Sequence, residues 1–323
     1  MNEVKVLNEK QFDLQSINKY ATIMAQGNGY LGLRASHEEY YAEQTRGMYV
    51  AGVYNKFSSN DVTELVNLPD LVGMKIEING EIFSILTGEI LSYDRTLNML
   101  TGELTKEVVW KNKKSKRFRF IFQRFVSKEN YHLLASKMKV ISIDGDASIK
   151  ITTGINAQTS NFGKQHLLEE NVRVIDKKIM HAVYRTTESN HTIAIATSCN
   201  VPNESDVSFM AKNRQLMTTI KHDLNVEKPF VLEKISSIYT SIDNFIEDPA
   251  EASINTVQKH LADGYDYLIE KSSIRWQDFW KQKRVTISSK DEMDQVALDF
   301  SLYHIETMTP SHDDRFSVGA KGL

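Results

Sequence analysis

The residues best equipped for chemistry in this chain are its carboxylates, its histidines and one run of glycines. Acid–base cleavage of a glycosidic bond needs two carboxyl groups facing each other across the scissile atoms. Glu38, Glu39, Glu64 and Asp70 are the candidates in the first part of the chain. No spacing pairs any two of them, so solvated surface is the expectation for all. His37-Glu38-Glu39 lacks the second histidine one helical turn away that a metalloprotease helix requires. His132, His166, His181 and His191 show no ligand spacing and read as ordinary surface or core histidines. The single cysteine, Cys199, can form no internal disulfide. No metal site or cofactor is expected.

The glycine run Gly27-Asn28-Gly29-Tyr30-Leu31-Gly32 matches G-x-G-x-x-G. That pattern binds a pyrophosphate only between a strand and a helix, where the helix start faces the phosphates. Here residues 17–26 read as a turn or short helix and 31–34 as a strand, so the order is wrong. The glycines are read instead as a turn and a place where backbones pack closely at a sheet edge. Lys111, Lys113, Lys114, Lys116, Arg117 and Arg119 form a basic cluster, but they straddle a hairpin tip whose aromatic neighbours alternate into the core. A solvated turn that discourages edge pairing is the better reading. Trp276 and Trp280 sit one helical turn apart on an amphipathic segment and read as packing anchors rather than a sugar platform.

The elements that must position these groups are mostly strands. From about residue 28 to 245 the apolar pattern has a period of two. Met74, Ile76 and Ile78 alternate with polar residues, Asn79-Gly80 follows, then 82–85; Asn-Gly suits a hairpin turn in which both central residues have positive φ. A second hairpin is expected from 107–110 and 118–125, and a third from 135–143 and 148–155 about Asp144-Gly145-Asp146. Further strands are expected at 172–175, 193–196 and 231–239. Short strands with frequent turns argue for stacked antiparallel sheets. Near residue 248 the period changes. Asp248-Pro249-Ala250-Glu251 is a helix start, with Gly264 as a stop near 263. The next helix carries Tyr265, Leu268, Ile269, Ser272, Trp276, Phe279 and Trp280 on one face. A strand-like stretch, 284–287, precedes a capping box at Ser289-Lys290-Asp291-Glu292. The helix it opens has one stripe of Met293, Val296, Ala297, Phe300 and Tyr303 and another of Leu298, Leu302 and Ile305. Apolar groups around so much of its girth must be covered on several sides. A chain truncated inside a further domain is expected, and residues 289–323 are its start.

Composition narrows the classes. With 41% hydrophobic and 25% charged residues the sequence resembles a soluble globular protein. A net charge of −3 creates no field that implies nucleic acid or an anionic membrane as partner. No apolar run reaches the ~20 residues of a membrane span. The first residues lack the layout of a signal peptide, so a cytoplasmic location is expected.

Several stretches together resemble one family, glycoside hydrolase family 65. They are Asn18-Lys19-Tyr20-Ala21, Gln26 through Arg34, Thr45-Arg46-Gly47-Met48-Tyr49, Glu64-Leu65-Val66-Asn67-Leu68-Pro69 and Ile78-Asn79-Gly80-Glu81. Near the other end are Tyr303-His304, Met308-Thr309-Pro310-Ser311-His312-Asp313-Asp314-Arg315 and Gly319-Ala320-Lys321-Gly322-Leu323. Ala25-Gln26-Gly27-Asn28 and Thr309-Pro310-Ser311-His312-Asp313 are most similar to its kojibiose phosphorylase branch. The resemblance implies a mainly β protein: an antiparallel super-sandwich of the galactose mutarotase type over 1–247, linker helices over 248–288, and the first helix of an (α/α)6 barrel over 289–323. It implies an inverting disaccharide phosphorylase, with a disaccharide and inorganic phosphate as substrates and a homodimer as the assembly. A glutamic acid protonates the glycosidic oxygen while phosphate attacks the anomeric carbon from the opposite face, giving β-glucose 1-phosphate. By the same resemblance the catalytic glutamate and the glucose-gripping Trp-Asp pair lie beyond Leu323, so no catalytic residue is assigned here and the chain alone is expected to be inactive. Lys321 is the one candidate for proximity to substrate. Two other readings remain: a carbohydrate-binding or dimerisation module without catalysis, and the same domain of a family hydrolase such as a trehalase.

Overall fold

The structure, a computed structural model, describes residues 6–318. Its strands are β1 (Val6–Glu9), β2 (Gln26–Gly27), β3 (Leu31–Leu33), β4 (Met48–Val50), β5 (Tyr54–Lys56), β6 (Thr63–Leu65), β7 (Met74–Ile78), β8 (Glu81–Ile82), β9 (Glu89–Asn98) and β10 (Glu103–Lys111). They continue with β11 (Arg117–Val126), β12 (Leu133–Ser142), β13 (Ala147–Asn156), β14 (Leu167–Ile175), β15 (Ile179–Thr186), β16 (Thr192–Asn200), β17 (Asp206–Lys212), β18 (Gln215–Leu224) and β19 (Phe230–Thr240). The helices are α1 (Ile17–Ile23), α2 (Pro249–Leu261), α3 (Gly264–Lys283) and α4 (Glu292–Met308).

A nine-stranded sheet in the order β1-β9-β10-β11-β12-β19-β16-β15-β14 faces a five-stranded sheet in the order β17-β18-β13-β7-β8. Their pairings are antiparallel. Alternation explains the sandwich. On β7 Met74, Ile76 and Ile78 turn inward to meet Phe118, Phe120 and Phe122 of β11 and Ile149 and Ile151 of β13 in one apolar cluster. Phe83 stacks on Phe120 at 4.0 Å and meets Trp110 edge-on at 5.5 Å, the arrangements aromatic rings favour. A second cluster, with Tyr30, Leu31, Val126, Leu134, Ile195 and Ile238, fills the other end.

The Asn79-Gly80 turn forms as expected, with φ of 50° and 79°. The β10–β11 hairpin also forms, from Leu104 opposite Arg124 to Lys111 opposite Arg117. The basic cluster lies at its tip, where Arg117 pairs with Asp144, Arg119 with Glu107 and Lys111 with Glu89. The third hairpin does not form. β12 pairs with β11 and β19, whereas β13 pairs with β7 and β18 in the opposite sheet. Asp144-Gly145-Asp146 is therefore a crossing between sheets. Its residues suit any tight reversal, and the strands on either side find their partners elsewhere.

α2 and α3 cover the outer face of the nine-stranded sheet, Val257 against Ile179 and Ala196, and Tyr265 and Leu268 against Phe125, Leu133 and Ile235. Asp248 caps α2 by accepting from the amides of Ala250 and Glu251, and Gly264 takes a φ of 74° between α2 and α3. Residues 284–287 form no strand: Val285 and Ile287 are exposed, and Gln295 bonds the backbone at both. The cap of α4 is Asp291, which accepts from Met293 N, rather than Ser289, whose hydroxyl instead bonds Asp294. Part of the apolar girth of α4 is covered by preceding elements. Tyr303 is buried and stacks on Trp276 at 5.0 Å, with Phe300 and Leu302 in the same cluster, while Met293 and Ile305 are exposed.

Candidate functional site

Two features gather the chemistry-bearing side chains. The first is a belt of charge between the two apolar clusters. Alternation along β9, β10 and β11 places Arg95, Lys106 and Arg124 at inward positions that an apolar residue would ordinarily take. Lys106 lies opposite Arg95, Arg124 opposite Ser136, and Ser136 opposite Lys234, so the belt crosses from β9 to β19. The loop after β3 lays His37, Glu38 and Glu39 over it. Lys106 Nζ lies 2.6 Å from Glu38 and 2.5 Å from Glu39. Arg124 pairs with the other Glu38 oxygen and donates to Ser36 O at 2.6 Å and Gln26 Oε1 at 3.2 Å. Arg95 pairs with Glu9 at 3.3 Å and reaches the ring of His37. All of these side chains are buried.

Burial alone would raise the Glu38 carboxyl, but Lys106 and Arg124 overcome it and hold the group at about 2. Burial and the surrounding Arg95, Lys106 and Arg124 push His37 well below its ordinary value, so it is neutral. Burial also brings Lys234 down to about 8, and it donates to Leu71 O, Thr153 Oγ1 and Gly154 O. The expectation of solvated carboxylates is thus wrong for Glu38, Glu39 and Asp70, which are buried. Asp70 pairs with Arg46 at 2.8 Å and accepts from the amides of Val72 and Gly73. Glu64 is half-buried, 3.3 Å from His166 Nε2. Glu38 and Glu39 share one buried lysine, so this pair ties the loop after β3 to β10. The cue in the sequence was the break in alternation, a charge between Phe122 and Val126 and another between Leu104 and Val108. Its meaning depended on a loop some 60 or more residues away along the chain, the separation of Glu39 from Lys106 being 67.

The second feature is a seam where residues 307–316 seat on the end of the sandwich. The glycine run forms β2, a turn and β3, strand–turn–strand rather than strand–turn–helix. Gly29, at φ 88°, donates its N–H to Thr307 O at 2.8 Å. A Cβ on Gly29 would lie 2.0 Å from Thr309 O, and one on Gly27 2.8 Å from Thr307 O. The two glycines therefore permit close backbone approach, and the approaching backbone is the end of α4 and the residues after it. Asn28 locks the turn: its Nδ2 donates to Ser127 O and Tyr131 O, and its Oδ1 accepts from Tyr30 N and Leu31 N. Tyr30 donates to Asp243 at 2.9 Å, and the His312 ring meets Tyr30 edge-on at 5.3 Å. Asn244 donates to Asp313, Arg315 pairs with Asp313 and donates to Ile242 O, and Phe316 fills the space over Gly52. Trp276 and Trp280 are packing anchors, the latter donating to Met99 O at 2.8 Å. Lys321, on the segment that leaves this seam, lies outside the described residues.

Among the described residues no group of histidine, cysteine and carboxylate side chains could hold a metal ion, and no helix is long and apolar enough to cross a membrane. Cys199 is free, and burial pushes its thiol up to about 11.

The sandwich and the helices docked on it match a described family. The model of the glycosyl hydrolase family 65 N-terminal domain matches residues 7–279. This chain belongs to glycosyl hydrolase family 65. A kojibiose phosphorylase of Escherichia coli (strain K12) is 40% identical over 325 residues, covering 100% of this chain and 43% of the relative. Another, from Halothermothrix orenii, is 36% identical and covers 98% of this chain and 42% of the relative. The chain thus spans well under half the length of these curated relatives. In fold it is similar to a solved structure titled a putative kojibiose phosphorylase from human microbiome, with a TM-score of 0.86 and 14% identity over 95% of this chain and 42% of the other. Residues 7–279 are the N-terminal domain of the family, and the chain is mainly β and built of antiparallel sheets.

Proposed function

We propose that this chain is the N-terminal domain of an inverting phosphorylase that cleaves an α-glucosyl disaccharide of the kojibiose type with inorganic phosphate. The observation that carries the reading is 40% identity to a kojibiose phosphorylase along the whole chain, including the segments that form the seam. In the proposed reaction a glutamic acid outside this domain protonates the glycosidic oxygen. Phosphate, already anionic, attacks the anomeric carbon from the opposite face, so no strong base is needed, and β-glucose 1-phosphate and a free sugar leave. The part of this chain is positional, and Lys321 is the residue proposed to lie beside the substrate. The reading includes a homodimer in the cytoplasm, with a helical barrel beginning near residue 289.

Two assays test it. The 323-residue chain alone is expected to release no glucose 1-phosphate from kojibiose, maltose, nigerose or trehalose with phosphate. Exchanged for the corresponding segment of the E. coli kojibiose phosphorylase, it supports phosphate-dependent cleavage of kojibiose. Turnover by the chain alone, or a folded chimera inactive on all four sugars, would overturn the proposal.

A further inference from the structure

A cleft of about 380 Å³ opens beside the Arg46–Asp70 pair, away from the seam. At its rim, Asn161 and Lys164 exchange both backbone hydrogen bonds at 3.0 Å. They close a two-residue turn with Phe162 at φ 49° and Gly163 at φ 88°. Both central residues of such a turn need positive φ, and asparagine or glycine is the usual first residue. Phenylalanine there is strained, and its side chain is 97% exposed. Folding gains nothing from that ring. Strain kept without a packing reward points to a ligand-facing role. The turn is also fixed in place: Asn161 accepts from Asn67 N and donates to Leu65 O, and Lys164 pairs with Asp61.

The rest of the lining defines the ligand. Tyr40, 46% exposed, lies over the Arg46 guanidinium at 4.8 Å. Arg46 spends Nε on Asp70 and Nη1 on His37 O and Glu39 O, and its Nη2 reaches Asp70 at 3.4 Å, so cation and carboxylate neutralise each other at the cleft wall. The remaining polar walls are neutral amides and hydroxyls: Asn67 is spent on Met48 N, Arg46 O and Ser160 O, and Asn156, Gln158 and Ser160 line the cleft beside it. Gln44, 8% exposed, spends its oxygen on His37 N and Arg46, while its Nε2 has no partner among the described residues. An exposed aromatic face, planar amide donors and no net charge suit a neutral polyhydroxylated ring, whose C–H face stacks and whose hydroxyls bond to amides.

We infer that this cleft binds a neutral saccharide, with Phe162 as the stacking platform. It is a holding site without chemistry, since Asp70 is already ion-paired and is the one acid among the described residues that line it.

Calorimetric titration of the 323-residue chain with glucose, kojibiose, maltose, nigerose and trehalose, each without phosphate, reads the site directly. Saturable binding at millimolar or tighter dissociation constants is expected for at least one of them. Phe162→Asn removes the platform while suiting the turn better, so it should weaken binding at least tenfold and raise the melting temperature. Gln158→Ala, on the cleft wall, should weaken binding several-fold with an unchanged melting temperature. No saturable binding by any of the five sugars, or Phe162→Asn binding as tightly as the unaltered chain, would overturn the inference. So would tight binding of inorganic phosphate that competes with the sugar. Because the readout needs no turnover, its failure leaves the chimera test of phosphorolysis untouched.

Discussion

The charged belt and the glycine seam both join segments far apart in the chain, and they do so with opposite materials. In the belt, long side chains from β9, β10 and β11 reach into the buried interior and are matched by Glu9, Glu38 and Glu39. In the seam, the missing side chains of Gly27 and Gly29 let two backbones meet. The belt is specified by charge and tolerates little change of charge or pH. The seam is specified by shape at its two glycines, which leave no room for a methyl group, and its charges are confined to the Arg315–Asp313 pair and Asp243 beside them.

Removing a belt cation gives the largest expected effect. Arg124→Ala removes one of the two cations paired with the buried Glu38 carboxylate, leaving Lys106, and opens the bonds to Gln26 and Ser36; breaking such a buried pair costs about 3–5 kcal/mol. The urea midpoint should fall accordingly, with an unchanged slope. The belt also sets the acid response. Glu38 is depressed in the folded state, so its contribution is full above the ordinary carboxylate range and is lost as pH falls from about 4.5 toward about 2. His37 is depressed too, so as pH falls below about 6.5 the unfolded chain gains a proton the folded one refuses, and stability declines from there. In Arg124→Ala the carboxyl loses one of the cations holding it down, and the acid transition should move to higher pH. A substituted protein as stable and as acid-resistant as the original would break the distinction between belt and seam.

The seam should respond to volume. Gly29→Ala places a Cβ 2.0 Å from Thr309 O at a φ of 88°. The left-handed penalty of about 1–2 kcal/mol and the displaced backbone together should cost about 2–4 kcal/mol. Unlike the loss from Arg124→Ala, this loss should be the same at pH 7 and at pH 5.

The same contrast explains what could be read in advance. The Asn79-Gly80 hairpin was legible because both its partners and its turn residues are local, and so was the β10–β11 pairing. Asp144-Gly145-Asp146 had the same appearance and a different outcome, because β18 and β19, some 70 to 90 residues later, decide which sheet takes β13 and β12. The glycine run could be recognised as a packing device from what preceded and followed it, but the partner at 307–309 could not. Glu38 and Glu39 looked solvated because acidic neighbours usually are; only contact with Lys106 and Arg124 makes their burial tolerable. Phe162 carried a cue, an aromatic between Asn161 and Gly163 where a turn residue belongs, but not the cleft beside it.

Gly80→Ala gives the smallest expected effect and the sharpest control. Its φ of 79° is close to that of Gly29, so the backbone penalty should be nearly equal, yet nothing lies within 4 Å of the added methyl. The cost should stay at about 1–2 kcal/mol. The difference between the two variants by chemical denaturation then isolates the contact of the glycine turn with residues 307–309 from the conformational term common to both. A chain in which Gly29→Ala costs no more than Gly80→Ala has no close approach at the seam. It would then need another explanation for how the end of α4 is held, beginning with the Trp276–Tyr303 stack.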